Sequence, residues 1–423
     1  TEVLTSQVLC NGQDGTDGTD AEGVREMRVS NALWGGVCSH GGIKVETGID
    51  DDHSGALDDL EVDDVQYVCN RVLKFAQVAT AHESTCFLTS EGHVLCRGGI
   101  NSYGLYATMD IEGTSSIGGL SDVAYVAIGA YHGCALLTDG TVKCWGNNNY
   151  YQCGDGSTEQ RRVAVPVQDM SNVVSLSVGQ YHSCAAKQDG TVWCWGRGTA
   201  HALGDGTETD SPPVQVVGVT DAIAVDTGFG HTCALTSLGT VTCWGENSQG
   251  QLGNGTTTNS LAQQVTGLPI VSSIGLGGIH SCAVTDTGDL WCWGYNQYYQ
   301  LGDGTQTSTT APILATIIDQ VASVIGGIGH SCVIRMDQTL WCWGYNFRGT
   351  LGAPTPYFHN PAPVQVSMDE PILQMHAKEW HMCVITNSGQ AYCWGSNQRR
   401  EVNDAYVDAV TIPSLVTPAD LAP

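Results

Sequence analysis

Two groups of residues in this chain have types and spacings suited to chemistry. The first is an acidic run at residues 50–61, reading Asp-Asp-Asp-His-Ser-Gly-Ala-Leu-Asp-Asp-Leu-Glu. Counted from Asp50, oxygen-bearing side chains fall at the first, third, fifth and ninth positions: Asp50, Asp52, Ser54 and Asp58. Gly55 occupies the sixth, where the chain must turn sharply, and Glu61 closes the run at the twelfth. Calcium is a hard cation that takes many oxygens, and an EF-hand-type loop supplies them at these offsets. The backbone carbonyl of the seventh residue, here Ala56, joins a bidentate carboxylate at the twelfth. Calcium is therefore the expected cofactor. The flanking segments 42–46 and 65–68 favour strands over a pair of helices, which points to a structural clamp and not to a sensor that opens.

The second group is cysteine and histidine. Seven cysteine pairs recur with their members ten positions apart: Cys86 and Cys96, Cys134 and Cys144, Cys184 and Cys194, Cys233 and Cys243, Cys282 and Cys292, Cys332 and Cys342, and Cys383 and Cys393. In six of them a histidine stands two residues before the first cysteine: His132, His182, His231, His280, His330 and His381. Imidazole and thiolate together suit zinc. The same cysteines, however, fit a disulfide, in which sulfur no longer ligates as a thiolate, and the histidines then read as hydrogen-bonded core residues.

The disulfide expectation rests on turn chemistry. For Cys134 to face Cys144 the hairpin must centre on Asp139, with a three-residue loop of Thr138, Asp139 and Gly140. The third residue of such a loop adopts the left-handed conformation that glycine favours. Glycine holds that place in six repeats, at Gly92, Gly140, Gly190, Gly239, Gly288 and Gly389, and the sixth repeat alone has Gln338. Seven cross-strand disulfides are predicted. Cys10, Cys38, Cys69 and Cys153 remain and allow three pairings, of which Cys38–Cys69 around the acidic run is favoured. Cys153 stands where other repeats have leucine, and a bond outside its own repeat is expected of it.

Other candidates give less. Trp145, Trp195, Trp244, Trp293, Trp343 and Trp394 follow the second cysteine and read as packing between repeats. Asp155, Asp205 and Asp303 begin Asp-Gly turns. Asn254 opens the sequon Asn-Gly-Thr in a threonine-rich loop and is a candidate glycosylation site. No nucleophile elbow, phosphate loop or metalloprotease motif occurs, so no catalytic residue is assigned.

The elements that must position these residues follow from their period. First cysteines recur every 48 to 51 residues along a chain of 423, the mark of a propeller or solenoid. Short β-branched and aromatic runs between Gly, Asp and Asn signals read as about four strands per repeat, one propeller blade. The expected architecture is an all-β seven-bladed β-propeller over 71–423, preceded by a small calcium-binding module over 1–70. The sequence carries 16 Lys and Arg against 43 Asp and Glu, a formal charge of -27. A field of that sign disfavours nucleic acid and anionic membrane, and no apolar run is long enough for a spanning helix. Thr1 reads as a processed or internal start. An even count of 18 cysteines at regular spacing argues for an oxidising, extracytosolic compartment.

The repeat, Gly-x-x-His-x-Cys-Ala, then Asp-Gly-Thr-Val-x-Cys-Trp-Gly-x-Asn, then Gln-Leu-Gly-Asp-Gly-Thr, resembles that of the regulator-of-chromosome-condensation family. That resemblance implies a seven-bladed propeller, and the cysteine pair resembles the family's secreted, disulfide-bearing branch. Repeat one departs most, with Ser84 in the histidine place and Arg97 in the tryptophan place; repeat six has Ala353 and Pro354 instead of Asp-Gly. The leader is similar to acidic calcium-loop modules found in tandem in secreted bacterial and algal proteins.

The expected function is that of a non-catalytic extracellular or cell-surface structural or adhesive protein, a repeating subunit of a surface filament or flagellar hair. Its partners would be proteins, copies of itself included, and glycans, without nucleic acid or membrane insertion. A soluble binding or inhibitor module that uses one propeller face is the second candidate. A polysaccharide-active enzyme is the third, and would need the paired carboxylates that the sequence does not show.

Overall fold

The chain divides into two units, Thr1–Val72 and Leu73–Pro423. The structure, a computed structural model, describes residues 74–98, 115–355, 358–398, 400–403 and 407–417, and in the first unit the backbone of three strands. Those strands are β1 (Arg25–Ala32), β2 (Gly42–Ile49) and β3 (Val62–Cys69), paired antiparallel in the order β1-β2-β3. Gly42 lies opposite Cys69, and Gly48 opposite Val62. Strands thus flank the acidic run on both sides. The run itself, with Asp50, Asp52, Ser54, Ala56, Asp58 and Glu61, lies outside the described residues, as do Cys10, Cys38 and the expected Cys38–Cys69 bond.

The second unit is seven antiparallel sheets, each built from four strands consecutive in the chain. Blade three shows the pattern: an inner strand Val173–Val178, then His182–Lys187, Val192–Gly196 and an outer strand Ser211–Gln215. Its second and third strands pair with Cys184 directly opposite Cys194. The same register recurs in every blade, and all seven expected disulfides form. Cys86 bonds Cys96 in blade one, Cys134 bonds Cys144 in blade two, and Cys184 bonds Cys194 in blade three. Cys233 bonds Cys243, Cys282 bonds Cys292, Cys332 bonds Cys342 and Cys383 bonds Cys393 in blades four to seven. The hairpin loop is the one its residues demand. Leu137 N donates to Thr141 O at 2.8 Å, and Gly140 takes φ +80°. Gln338, without glycine's freedom, is held in the same left-handed region at φ +64° by the surrounding sheet.

The core lies between blades. One cluster joins Cys134, Cys144 and Val167 of blade two to Val173, Leu176 and Trp195 of blade three. The disulfides of blades one to six pack in this way against the next blade's inner strand and tryptophan, and that of blade seven packs against Phe75, Val78 and Phe87 of blade one. All six expected tryptophans are fully buried, and Trp195, Trp244, Trp293, Trp343 and Trp394 donate Nε1–H to a carbonyl of the preceding blade, at 2.9 to 3.1 Å. The Leu-Gly dipeptide in the loops of blades three to six serves the same seam. Leu203 is fully buried, and Gly204 has φ +65° where a Cβ would sit 3.0 Å from Trp244 Cδ1.

Cys153 corrects one expectation. It occupies the leucine place, fully buried in the cluster between blades two and three, and its thiol is free. A position surrounded by core atoms leaves it no external sulfur to reach. Repeat one shows how a blade without the motif still fits. Phe75 and Phe87 pair at 5.1 Å between ring centroids, and buried Arg97 donates Nε–H to Arg400 O at 2.8 Å, as the absent tryptophan would. The ring closes where blade seven meets blade one, with Phe75 N donating to Gly389 O at 2.9 Å.

Candidate binding face and axial core

The motif histidines are the first site to place. Five of them reach a neighbouring blade, and the contact is a hydroxyl on the residue before that blade's first cysteine. His132 Nε2 lies 2.7 Å from Ser183 Oγ, and His182 Nε2 lies 2.9 Å from Thr232 Oγ1. His231 meets Ser281, His280 meets Ser331 and His381 meets Thr85 in the same way. The contact is absent in two places, for different reasons. Blade one has Ser84 in place of histidine, and blade two matches it with Gly133, where a Cβ would lie 2.6 Å from Trp145. Blade seven has Met382 in the hydroxyl place, and His330 Nε2 is left without a partner. Burial pushes His132, His182, His231 and His280 down to about 3, and His330 and His381 to about 4. These imidazoles are neutral, and with the cysteines oxidised the zinc alternative has no thiolates.

The inner strands turn alternate residues towards the propeller axis, because successive side chains on a strand point to opposite faces. Three layers result. At one mouth, Tyr125, Ser175, Ser273 and Gln374 line a cavity of about 460 Å³. The middle layer includes Ser177, Asp226 and His376, which border the same cavity. The third layer is glycine in five blades: Gly129, Gly179, Gly228, Gly277 and Gly327. Here the blades approach so closely that a Cβ on Gly228 would lie 2.7 Å from Gly277 O, and one on Gly277 would lie 2.6 Å from Gly327 O. Blades one and seven substitute Ala81 and Lys378, and the space left at this mouth is about 20 Å³, room for one water.

Polar groups in these layers mostly tie one blade to the next. Asp226 accepts from Ser177 Oγ at 3.0 Å, Thr227 N at 2.8 Å and Leu276 N at 2.8 Å. Burial nevertheless raises its pKa, against the opposing pull of the Lys378 charge. Thr80 N donates to His376 Nδ1 at 2.9 Å across the closing seam. His82 and Glu379 pair across that seam as well. The Glu379 hydrogen bond raises the His82 pKa.

A face of the disc carries a feature that sequence reasoning missed. The turn between the first and second strands and the loop between the third and fourth emerge on the same side of blades two to seven. Aromatic residues collect there, all partly exposed. Tyr298 stacks on Tyr345 at 4.5 Å, His359 stacks against both, and Phe347 lies parallel to Tyr345 at 5.9 Å. Trp380 sets its ring edge-on to Tyr345 and Phe347. A second group joins Tyr131 to Tyr181 at 4.8 Å, with Arg197 over the rings of Tyr150 and Tyr181. The signal was present in the residue just before the motif histidine (Tyr131, Tyr181, Trp380) and in the Asn-rich loops (Tyr150, Tyr298, Phe347). Those positions vary between repeats, so the period hid them.

In blades two and four to seven the loop behind this face hangs on one asparagine: Asn148, Asn247, Asn296, Asn346 or Asn397. Asn247 Nδ2 donates to Asn254 Oδ1 at 3.1 Å and to Thr256 O at 3.0 Å, while its Oδ1 accepts from Leu252 N at 2.9 Å. Asn148 and Asn296 do the same with Asp155 and Asp303. The sequon residue Asn254 therefore stands in the turn-holding place that aspartate fills in those blades. In blade six Thr355 answers for the missing aspartate, accepting from Asn346 Nδ2 at 2.8 Å.

Comparison with known proteins decides the family. Two profiles, each described as the regulator of chromosome condensation (RCC1) repeat, match the chain, one at 123–152, 173–201, 222–251, 271–300 and 374–400, the other at 139–186, 189–235, 239–284 and 287–334. Together they span more than half of it. The chain belongs to the RCC1-repeat family. A domain of unknown function, DUF7151, matches residues 27–69. No curated protein matches the chain. Among solved structures, human WBSCR16 superposes with a TM-score of 0.67 at 21% identity, over 77% of this chain and 89% of that one. Prp20p from Saccharomyces cerevisiae, whose structure was described with its binding properties to Gsp1p and histones, gives 0.63 at 21%, over 72% and 80%. The ectodomain of the receptor kinase CR4 from Physcomitrella patens gives 0.50 at 20%, over 77% and 74%. These identities establish the RCC1-type propeller fold alone. Among the described residues no helix is long and apolar enough to cross a membrane, and no group of three or more His, Cys, Asp or Glu side chains is placed to hold a metal.

Proposed function

We propose that this RCC1-repeat protein is a non-catalytic, extracellular binding protein that engages a protein partner through its aromatic face. The observation that carries the proposal is the stacked group Tyr298, Tyr345, His359, Phe347 and Trp380. Large, partly exposed rings on a rigid frame are the residues that dominate protein interfaces, where truncating one commonly costs about 2 kcal/mol or more of binding. Prp20p, a propeller of the same family, has binding properties towards Gsp1p and histones, which supports protein recognition as the mode of action. Seven disulfides suit an oxidising compartment, and the CR4 relative is an ectodomain.

The role in view is structural or adhesive, with the chain repeated in a surface filament or flagellar hair and calcium bound at residues 50–61 of the leader. Glycan attached at Asn254, or bound as a second ligand, belongs to the same extracellular setting. Negative-stain microscopy of native material, in calcium and then in chelator, tests this. Filaments or ordered arrays that disperse when Tyr345 and Trp380 are both replaced by Ser, with an unchanged melting temperature, are the expected result. Isolated discs in both solutions, with a single tightly bound protein, would turn the assignment to a soluble inhibitor-like module. Arrays that survive the double substitution would remove the aromatic face from the contact.

A further inference from the structure

One residue on the axis has no counterpart in the other blades. In the motif Gly-x-x-His-x-Cys the glycine place of blade seven is taken by Lys378. Five glycines clear the axis at this level, and the single lysine side chain fills it. Its ammonium crosses the ring to blades three and four, donating to Val178 O, to Thr227 O at 3.3 Å and, more weakly, towards Thr227 Oγ1 at 3.5 Å. Three oxygens thus meet the three N–H donors of a primary ammonium. Asp226 and Glu379 supply negative charge nearby and hold the pKa of Lys378 up, while burial, the larger effect, pulls it down.

Carbonyl oxygens converging on an axis, backed by a carboxylate, are the donor set of a monovalent cation site. We propose that the glycine layer of the propeller is a cation site selective for a primary ammonium ion, occupied in this protein by its own Lys378. The lysine is a tethered ligand. It closes the axis between the 460 Å³ cavity and the opposite mouth, and it links blade seven to the far side of the ring without any covalent bridge between blades.

Shortening the side chain empties the site without altering the Val178 and Thr227 oxygens that line it, so Lys378→Ala should accept a free ion of the same chemistry. The experiment is a thermal melt of the full chain, wild type and variant, titrated with methylammonium chloride against tetramethylammonium chloride at equal ionic strength. The variant is expected to melt lower than wild type by about 3–6 °C, and methylammonium to recover at least half of that loss in a saturable way. Tetramethylammonium, which has no N–H, should recover none, and neither salt should shift the wild type. Lys378→Met, which refills the space with an apolar chain, should not respond. Equal effects of the two salts, or no effect of either on a folded variant, would overturn the proposal.

If Lys378→Ala does not fold, Lys378→Gly restores the residue that five other blades carry and takes its place in the titration. The unmodified chain offers an independent check. Reductive methylation followed by mass spectrometry should modify Lys378 at least tenfold more slowly than exposed Lys74, because its ammonium is held by Val178 O and Thr227 O. Modification at the rate of Lys74 would mean that the ammonium is not seated among the carbonyls.

Discussion

At the residue scale the buried histidines set the response to acid. Their folded pKa values, about 3 to 4, lie below the unfolded value near 6.5. Between those limits the unfolded chain binds more protons than the native one, so stability is fully present above pH 6.5 and falls as the pH drops through the window. The slope is up to about 1.4 kcal/mol per pH unit for each histidine. Replacing His231 by Asn should lower stability at pH 7.5, because Ser281 keeps its bond to Gln251 O but loses the one to the imidazole. It should also flatten the acid limb by one histidine's share, as read from urea midpoints at pH 7.5 and 5.0. Cys153 makes a second case. Burial raises its thiol pKa, so iodoacetamide should leave it unmodified until the chain unfolds. Cys153→Leu, which restores the residue of the neighbouring repeats, should stabilise by about 0.5–1 kcal/mol in the same denaturation assay.

At the scale of elements the hairpin and the seam were legible in the sequence to different depths. The pairing of Cys184 with Cys194 followed from one glycine in a three-residue loop, because register leaves a strand only two faces to choose between. The burial of the tryptophans also followed, since an aromatic repeated once per blade has nowhere else to go. The partners of the histidines did not follow. They depend on which residue of the next blade stands opposite, and Gly133 or Met382 can be recognised as the exception only when two blades are placed side by side. The aromatic face was missed because it obeys no period, and Lys378 because a departure from glycine reads as noise until the axis is seen. Two element-scale outcomes check the seam and the staple. Gly253→Ala should destabilise by more than about 1 kcal/mol, since φ is +67° and the new Cβ would lie 2.8 Å from Trp293 Nε1. Removing the Cys282–Cys292 bond by double alanine substitution should cost roughly 2.5–3 kcal/mol, the value expected for a short closed loop. Calorimetry on both variants measures these directly.

At the scale of the whole molecule the propeller closes without exchanging a strand. Blade seven meets blade one through the inner-strand contact at Phe75, the Thr85–His381 bond and the His82–Glu379 pair. The last of these titrates with the opposite sign to the histidine ring. Its folded His82 pKa is raised, chiefly by the Glu379 hydrogen bond, so its contribution is complete below the unfolded value and fades as the pH rises through the folded one. His82 is partly exposed, which keeps that contribution small. Hydrogen exchange should find the inner strands of blades one and seven, Phe75–Ala81 and Ile372–Lys378, opening first as the pH is raised past the His82 titration. His82→Gln should remove the pH dependence of that opening and leave the other blades unchanged.

Every staple in the propeller joins residues ten apart, and none joins one blade to another. A chain emerging end-first from a ribosome or a translocon therefore exposes each cysteine together with its correct mate before the next pair appears. Oxidation in order of arrival gives the native set, from Cys86 with Cys96 through to Cys383 with Cys393, whereas a wrong pair among these fourteen cysteines must span a longer loop. Fourteen sulfurs that would otherwise present a large combinatorial problem are sorted by the direction of synthesis, and the assembly of the ring can be left until all seven hairpins are already locked.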